Sequence, residues 1–474
     1  MIEIFNNIKI DKTNEESIYI QIYRELKKMI LEGILLPEYK LPSIRNLSDK
    51  LSVNNVTIVS TYKKLESEGF VYKKSGSGTY VSNNFKFESD NIYELPYLFN
   101  SNNKYDNMEK NEKINFASLA PESKLFPVEK FKLVLNEVLE RDKGNAFSYQ
   151  NVSGLNSIKE SIYQNIVSKR FIKTELENIQ IISGAQQGID IISKVLLNQG
   201  DYLVTENPSY SSAIEVFKNR KCNILSLEIN EKGIDFNILE NFLKKYKPKI
   251  IYTIPTFHNP TGYSYDNDKR LIFMDLVNKY NVYVIEDDYV SDLNYENNNY
   301  KSLKSIDKKD RVIFIKSFSK IFMPGLRIGF MIVPESIRDN ILRAKHMTDI
   351  STSAFIQRAI DLYIRKGFWE DHFLYMADVY KKKYFKMKNA IEKNLKNKVK
   401  YFFPGGGLSI MIKLPIGYSV NNLLVKLLKR NVIVLPGTAF YNDIVVNHES
   451  IILCFASVDE SRIEEGIKTI SEII

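Results

Sequence analysis

Two cysteines, four histidines and one tryptophan in 474 residues leave several chemistries without raw material. Cys222 and Cys454 cannot build a disulfide framework, and so few histidines argue against a zinc cluster, so no metal is expected. No apolar run approaches the ~18 residues that a membrane helix needs. The opening Met1-Ile2-Glu3-Ile4-Phe5-Asn6-Asn7 lacks the charged-then-apolar layout of a signal peptide, so the reading is cytoplasmic. What is present has a globular balance: 44% hydrophobic, 12% aromatic and 26% charged residues. The length calls for two or three domains.

Net charge is +9, and its placement says more than its size. Residues 40–82 carry seven Lys/Arg against three acids, whereas residues 1–39 carry five against seven. Positive charge gathered in one early segment suits a nucleic-acid partner. The same segment has helical periodicity. An apolar helix pattern opens at Ser17 and runs through Leu26, Met29 and Ile30 to a stop at Gly33. Ser43 caps a second helix that ends near Leu51-Ser52-Val53. A third begins at Asn54 or Asn55 and turns Val56, Val59, Tyr62 and Leu65 inward. Two short helices around a tight turn, followed by strands flanking Ser75-Gly76-Ser77-Gly78, predict a winged helix-turn-helix (α+β) over residues 1–82.

This stretch resembles the GntR-type winged helix-turn-helix, through Leu41-Pro42-Ser43-Ile44-Arg45, Thr57, Tyr62, Leu65-Glu66-Ser67-Glu68-Gly69 and the wing Gly76-Ser77-Gly78-Thr79. The resemblance implies that the third helix enters a major groove of promoter DNA. The implied contacts are Arg45, Asn54, Asn55, Thr57, Tyr62, Lys63, Lys73 and Lys74, with Ser77, Gly78 and Thr79 in the wing. Asn54-Asn55 stands where that family usually has serine-arginine, which removes one charge-assisted contact. Residues 83–112, rich in asparagine and without a sustained period, read as a tether that includes a short helix around Ile92-Leu95. A flexible chain of that length spans roughly 30 Å r.m.s..

Residues 113–474 alternate strands and helices, the pattern of a mainly parallel sheet covered by helices. Expected strands are 179–182, 202–206, 223–227, 250–254, 282–286, 312–315 and 328–333, with helices such as 186–197, 210–219 and 267–279 between them. Ligands of such sheets sit beyond the strand ends. The last strands flank Ser317-Phe318-Ser319-Lys320, with Arg327 seven residues after the lysine. A lysine able to lose its proton forms a Schiff base with an aldehyde, and the serines and arginine are phosphate donors. Aldehyde and phosphate on one molecule mean pyridoxal 5'-phosphate (PLP). Ser183-Gly184-Ala185-Gln186 adds a strand-to-helix anion site. Tyr210 is placed to stack on a ring, Asn259 to donate to a ring hydroxyl, and Glu286-Asp287-Asp288 to pair with a protonated pyridine.

The ordered set resembles the fold-type I PLP enzymes of the aspartate aminotransferase superfamily. That resemblance implies an α/β domain with a large, mostly parallel sheet lobe and a small α+β lobe. It makes Lys320 the Schiff-base residue and pairs Asp287 with the pyridine nitrogen. Tyr289 and Asn259 meet the ring hydroxyl, and Tyr210 stacks on the ring. Ser183 to Gln186, Ser317, Ser319 and Arg327 hold the phosphate, and Tyr149 comes from a dimer partner. Fused to the winged helix, the whole resembles the MocR-type regulators, homodimers arranged head to tail that sense a PLP-linked ligand. The competing reading is an active aminotransferase with a DNA-binding domain attached. One position separates them. Aminotransferases bind the substrate α-carboxylate with an arginine in a late Arg-Leu-x-Phe strand, and here Ile452-Leu453-Cys454-Phe455 puts isoleucine there. Arg462 lies ten residues on, in the last helix. Two effectors are compatible with that loss: PLP itself, which asks for no substrate-recognition residue, or an amine lacking a carboxylate. Residues 404–408 and 434–441 are expected to line that region.

Overall fold

The computed structural model describes Phe5 and residues 17–31, 35, 39–74, 77–82, 113–415, 418–442 and 449–474. The expected helix stop at Gly33, the wing residues Ser75 and Gly76, and the tether with its short helix lie outside the described residues. The chain divides into two compact units, residues 1–102 and 103–474.

In the first unit, α1 (Ile18–Leu31), α2 (Ile44–Leu51) and α3 (Asn55–Ser67) precede an antiparallel hairpin, β1 (Val71–Lys74) with β2 (Gly78–Val81). Ser43 caps α2 by accepting from the Asn46 N–H, and Asn54 caps α3 by accepting from the Val56 N–H. The turn between them passes through Ser52 in the left-handed region, φ 50°. Ile22, Leu26, Leu47, Ile58, Leu65, Phe70 and Val81 form the core. Two expectations for α3 need correction. Val56 sits in the first turn, 66% exposed rather than inward. Tyr62 is a core residue rather than a DNA contact: its ring is buried and its hydroxyl donates to the Pro42 carbonyl at 2.8 Å.

The second unit is built on an eight-stranded sheet. Its strands are β4 (Ile179–Ile182), β5 (Tyr202–Asn207), β6 (Asn223–Asn230), β7 (Gly233–Ile234), β8 (Ile250–Thr253), β9 (Tyr283–Asp288), β10 (Val312–Ser317) and β11 (Gly329–Ile332). The order is β4-β11-β10-β9-β8-β5-β6-β7, and β10-β9-β8-β5-β6 are mutually parallel. All seven expected strands are present, with no end shifted by more than three residues. The central strands are buried from end to end, because helices cover both faces.

The small lobe is a four-stranded antiparallel sheet, β12 (Lys400–Tyr401), β13 (Ser409–Lys413), β16 (Ser450–Cys454) and β15 (Leu435–Pro436), in that order. A separate pair joins β3 (Ile114–Asn115) to β14 (Val432–Ile433). Period-2 alternation splits the small-lobe sheet. Ile410, Ile412, Ile451 and Leu453 pack with the main core, while Met411, Ile452 and Cys454 face the other way. Among the described residues no helix is long and apolar enough to cross a membrane.

Candidate functional site

Parallel strands bring their C-terminal ends to one edge of the sheet. Residues 183–186, 207–210, 257–262, 287–289 and 317–320, far apart in the chain, therefore converge beyond β4, β5, β8, β9 and β10. Strand β11 runs antiparallel between β10 and β4, so its start faces that same edge. That reversal is what delivers Arg327, two residues before Gly329.

The anion side of the site is backbone with one cation. Helix Ala185–Leu196 starts after Gly184 with no side-chain cap, leaving its first N–H groups and its positive dipole end available to an anion. Gly184 has φ 95°, and a Cβ there would stand 2.5 Å from the Arg327 guanidinium. Glycine is required on both counts. Arg327 donates through Nη2 to the Ser183 carbonyl at 2.9 Å and through Nη1 to Ser319 Oγ at 3.4 Å. The Ser317 hydroxyl accepts from the Ser319 N–H at 3.3 Å. The Gln186 side chain turns away to the Ser212 carbonyl at 2.9 Å, so this residue serves the site through its backbone.

Side-chain alternation sorts the acids of β9. Glu286 faces one side and accepts from the Leu303 and Lys304 N–H groups and from Ser302 Oγ, each at 2.8 Å. Asp288, on the same side, pairs with Lys316 at 3.1 Å and accepts from Ser291. Asp287 points the opposite way. Its Oδ2 accepts from the Tyr252 hydroxyl at 2.8 Å, while its Oδ1 is buried without a protein partner. Burial pushes its carboxyl up to about 6. Tyr252 was not legible as a site residue; its one signal is a phenol in the short strand Ile250–Thr253. Tyr289 is buried and donates to the Phe257 carbonyl at 2.8 Å, and Asn259 is buried beside that loop. Tyr210 is half-buried and feels the charges of Asp287 and Arg327.

Lys320 stands half-buried just beyond the end of β10. Burial pulls its ammonium below the ordinary lysine range and Arg327 adds to that, against the opposing pull of the Cys454 thiol and Asp287. Lys316, four residues earlier, is on the other side of the sheet, held by Asp288 at 3.1 Å and Asp292 at 2.6 Å. Of these two lysines, only Lys320 has a free amine facing the cleft. The residues fit PLP: an unpartnered carboxylate oxygen for a pyridinium, an uncapped helix and an arginine for a phosphate, and a lysine biased toward its nucleophilic form. Tyr149 does not join them within one chain; it is 83% exposed.

A second buried pair lies behind the ring-contacting loops. Glu206, just before the loop of Tyr210, accepts from Thr253 and from the Tyr265 hydroxyl, and its Oε2 is 3.7 Å from Nε2 of His258, which precedes Asn259. Burial pushes Glu206 up to about 7 and His258 down to about 3, so near pH 6 this is a neutral pair rather than an ion pair. The folded protein thus holds the Glu206 proton more tightly than the unfolded chain does. The stability this contributes is complete below about 4.5 and is lost as pH rises through about 7. Glu206→Gln is expected to gain on wild type by roughly 1–3 kcal/mol between pH 5 and 8, read by urea unfolding. Parallel pH profiles would show that this carboxyl does not titrate there.

In the first unit, Arg45, Lys63 and Lys74 are exposed around α3 and the wing. Lys73 pairs with Glu66 at 2.9 Å and Lys64 with Glu68 at 3.7 Å. Asn54 is occupied as a cap, and Asn55 Oδ1 accepts from Ser48 Oγ at 2.5 Å, tying α3 to α2. Ser77 shares a hydrogen bond with the Tyr80 hydroxyl at 2.6 Å, Gly78 is exposed, and Thr57 and Thr79 are partly exposed.

The model of the family described as aminotransferase class I and II matches residues 111–470, and that of the bacterial regulatory proteins, gntR family, matches residues 18–81. Aromatic-amino-acid aminotransferase 1 of Thermococcus litoralis is 30% identical, covering 77% of this chain and 89% of its own. An uncharacterized HTH-type transcriptional regulator of Bacillus subtilis, YisV, is 26% identical, covering 97% of this chain and 96% of its own. Among solved structures, Pyrococcus horikoshii kynurenine aminotransferase, crystallised with PMP, superposes with TM-score 0.73 at 32% identity, covering 81% of this chain and 93% of its own.

Proposed function

The chain belongs to the class I and II aminotransferase family and carries a gntR-type domain ahead of it, and from that premise we propose that it is a DNA-binding transcriptional regulator gated by PLP. The observation that carries the reading is a set of residues that fits PLP, beside a late strand without a cation. Every position of β16, Ser450-Ile451-Ile452-Leu453-Cys454, is uncharged.

When bound, PLP supplies an electrophilic aldehyde carbon and a pyridine ring that accepts electron density. The protein supplies the rest. The helix start at Ala185 and Arg327 would hold the phosphate, and Asp287, oriented by Tyr252, would pair with the pyridine nitrogen. Tyr210 would lie against the ring, and Asn259 and Tyr289 would meet its hydroxyl. Lys320 would hold the aldehyde carbon, and a ligand taking its place would change what ties the site loops to the small lobe. That link exists in the hydrogen bond from the Ser209 N–H to the Phe440 carbonyl, 2.9 Å, beside Tyr210.

The regulator is a homodimer in the cytoplasm on this reading. Phe147 and Tyr149, 66% and 83% exposed, form an aromatic projection that a second chain would cover, and Arg327 is likewise exposed in one chain. The aminotransferase alternative shares Lys320, Asp287 and Arg327, so turnover decides between them. The test is DNA footprinting around the protein's own gene with and without PLP. A protection pattern that changes on adding PLP is the expected result. An unchanged pattern, or steady α-amino-acid turnover at about 1 per second or faster, would overturn it.

A further inference from the structure

One face of the small-lobe sheet belongs to an apolar cluster that adjoins the site loops. Phe440, in the same apolar cluster as Ile452 and Cys454, accepts from the Ser209 N–H at 2.9 Å beside Tyr210, and burial keeps the Cys454 thiol neutral. Two residues back along β16, about 6.6 Å at strand rise, Ile452 shares that face. The register sets Met411 opposite it on one side and Leu435 on the other. Leu119 and Phe440 complete the cluster, in which Ile452 is 1% exposed and Cys454 fully buried. The nearest lysine on this face, Lys413, is paired with Ser450 one row further out and answers Glu231 at 2.7 Å. A ligand atom bonded next to the reacting nitrogen therefore meets alkyl groups, a phenyl ring and a neutral thiol. A carboxylate in that position would be desolvated with no counter-charge.

Resting on the PLP-gated reading, we propose that the effector is a primary amine with an apolar substituent and no carboxylate, whose hydrocarbon part packs on the Met411-Ile452-Leu435 row. The exchange is balanced without an oxidant. A carbon–nitrogen double bond forms between the amine nitrogen and the cofactor carbon as the one to Lys320 nitrogen breaks. The neutral incoming amine gives up both N–H hydrogens, and Lys320, which held none as an imine nitrogen, leaves with both as a neutral amine.

The test loads the full-length protein with PLP and follows the cofactor's visible spectrum against matched pairs: n-pentylamine with L-norleucine, and 2-phenylethylamine with L-phenylalanine. The two amines are expected to shift the spectrum at concentrations on the order of 100-fold lower than their amino acids, the scale of an unpaired buried charge. Ile452→Arg is expected to narrow or invert that ratio. Because an arginine in this cluster can unfold the lobe, the wild-type panel stands as the deciding measurement. Amino acids that bind as well as the amines overturn the inference and leave the regulator reading intact. PLP uptake with no response to either amine also overturns it and leaves PLP itself as the effector. No PLP uptake at all defeats the gating premise and this inference together.

Discussion

Lys320→Ala is expected to abolish the visible absorption that PLP gains on bonding to a protein lysine, with the protein still folded. The loss should be complete rather than graded, because no second amine among the described residues is placed to take over. Lys316, the nearest in sequence, is buried on the opposite side of β10 between Asp288 and Asp292. Moving it would break two buried ion pairs, a cost of several kcal/mol. Folding should be little affected, within about 1 kcal/mol, since burial already disfavours the charged form of Lys320 and truncation removes that penalty. PLP should still be retained weakly, because the Ala185 helix start, Arg327 and Asp287 are untouched, and it should show the spectrum of the free aldehyde. A variant with the wild-type spectrum would mean that another residue captures the cofactor. A variant that fails to fold would be diagnosed by circular dichroism before the spectrum is read.

The sequence was most readable where local chemistry has few alternatives. A glycine turn between a buried strand and a helix can only be an anion site or a plain turn, and the position of Ser183-Gly184 was legible for that reason. Lys320 was legible because hydroxyls and an arginine at short spacing bracket it. What escaped depended on side-chain direction across strands. Alternation alone puts Asp287 and Asp288 on opposite sides of the sheet, but which neighbours each one meets follows from strand register, which pairs them with Ile315 and Lys316. Tyr252, the partner of Asp287, escaped for the same reason. In α3 the pattern misplaced Val56, because an N-cap at Asn54 rotates the first turn outward. Tyr62 was both inward by periodicity and a DNA contact by resemblance, and the structure keeps only the first. The apolar face of β13, β15 and β16 was half visible: Ile452 and the segment holding Leu435 could be read, but the neighbour Met411 comes from a distant strand whose register the sequence does not set.

Replacing Arg45, Lys63 and Lys74 together by alanine is expected to weaken DNA binding on the order of 100-fold at ~0.15 M salt, at about 1 kcal/mol per charge-assisted contact. The choice of these three follows from the ion pairs. Lys73 is tied to Glu66, so removing it also exposes an unpaired acid to the phosphates, and Lys64 shares Glu68 with Lys27, so removing it disturbs that pairing; either change confounds the result. Arg45, Lys63 and Lys74 are exposed and enter no described ion pair, so their removal subtracts phosphate neutralisation alone. Every phosphate left without its cation should flatten the dependence of log K on log salt by about 0.9, giving about 2.7 for the triple variant. The weakening should be similar for all sequences, since phosphates carry no base information. Asn55→Ala should behave differently. Its Oδ1 is engaged with Ser48, leaving the amide N–H to face a base edge, so the change should alter which sequence is preferred and leave the salt slope unchanged. A triple variant with wild-type slope would move the DNA surface away from α3 and the wing. Equal weakening on every sequence at Asn55 would make that residue a helix-to-helix brace and nothing more.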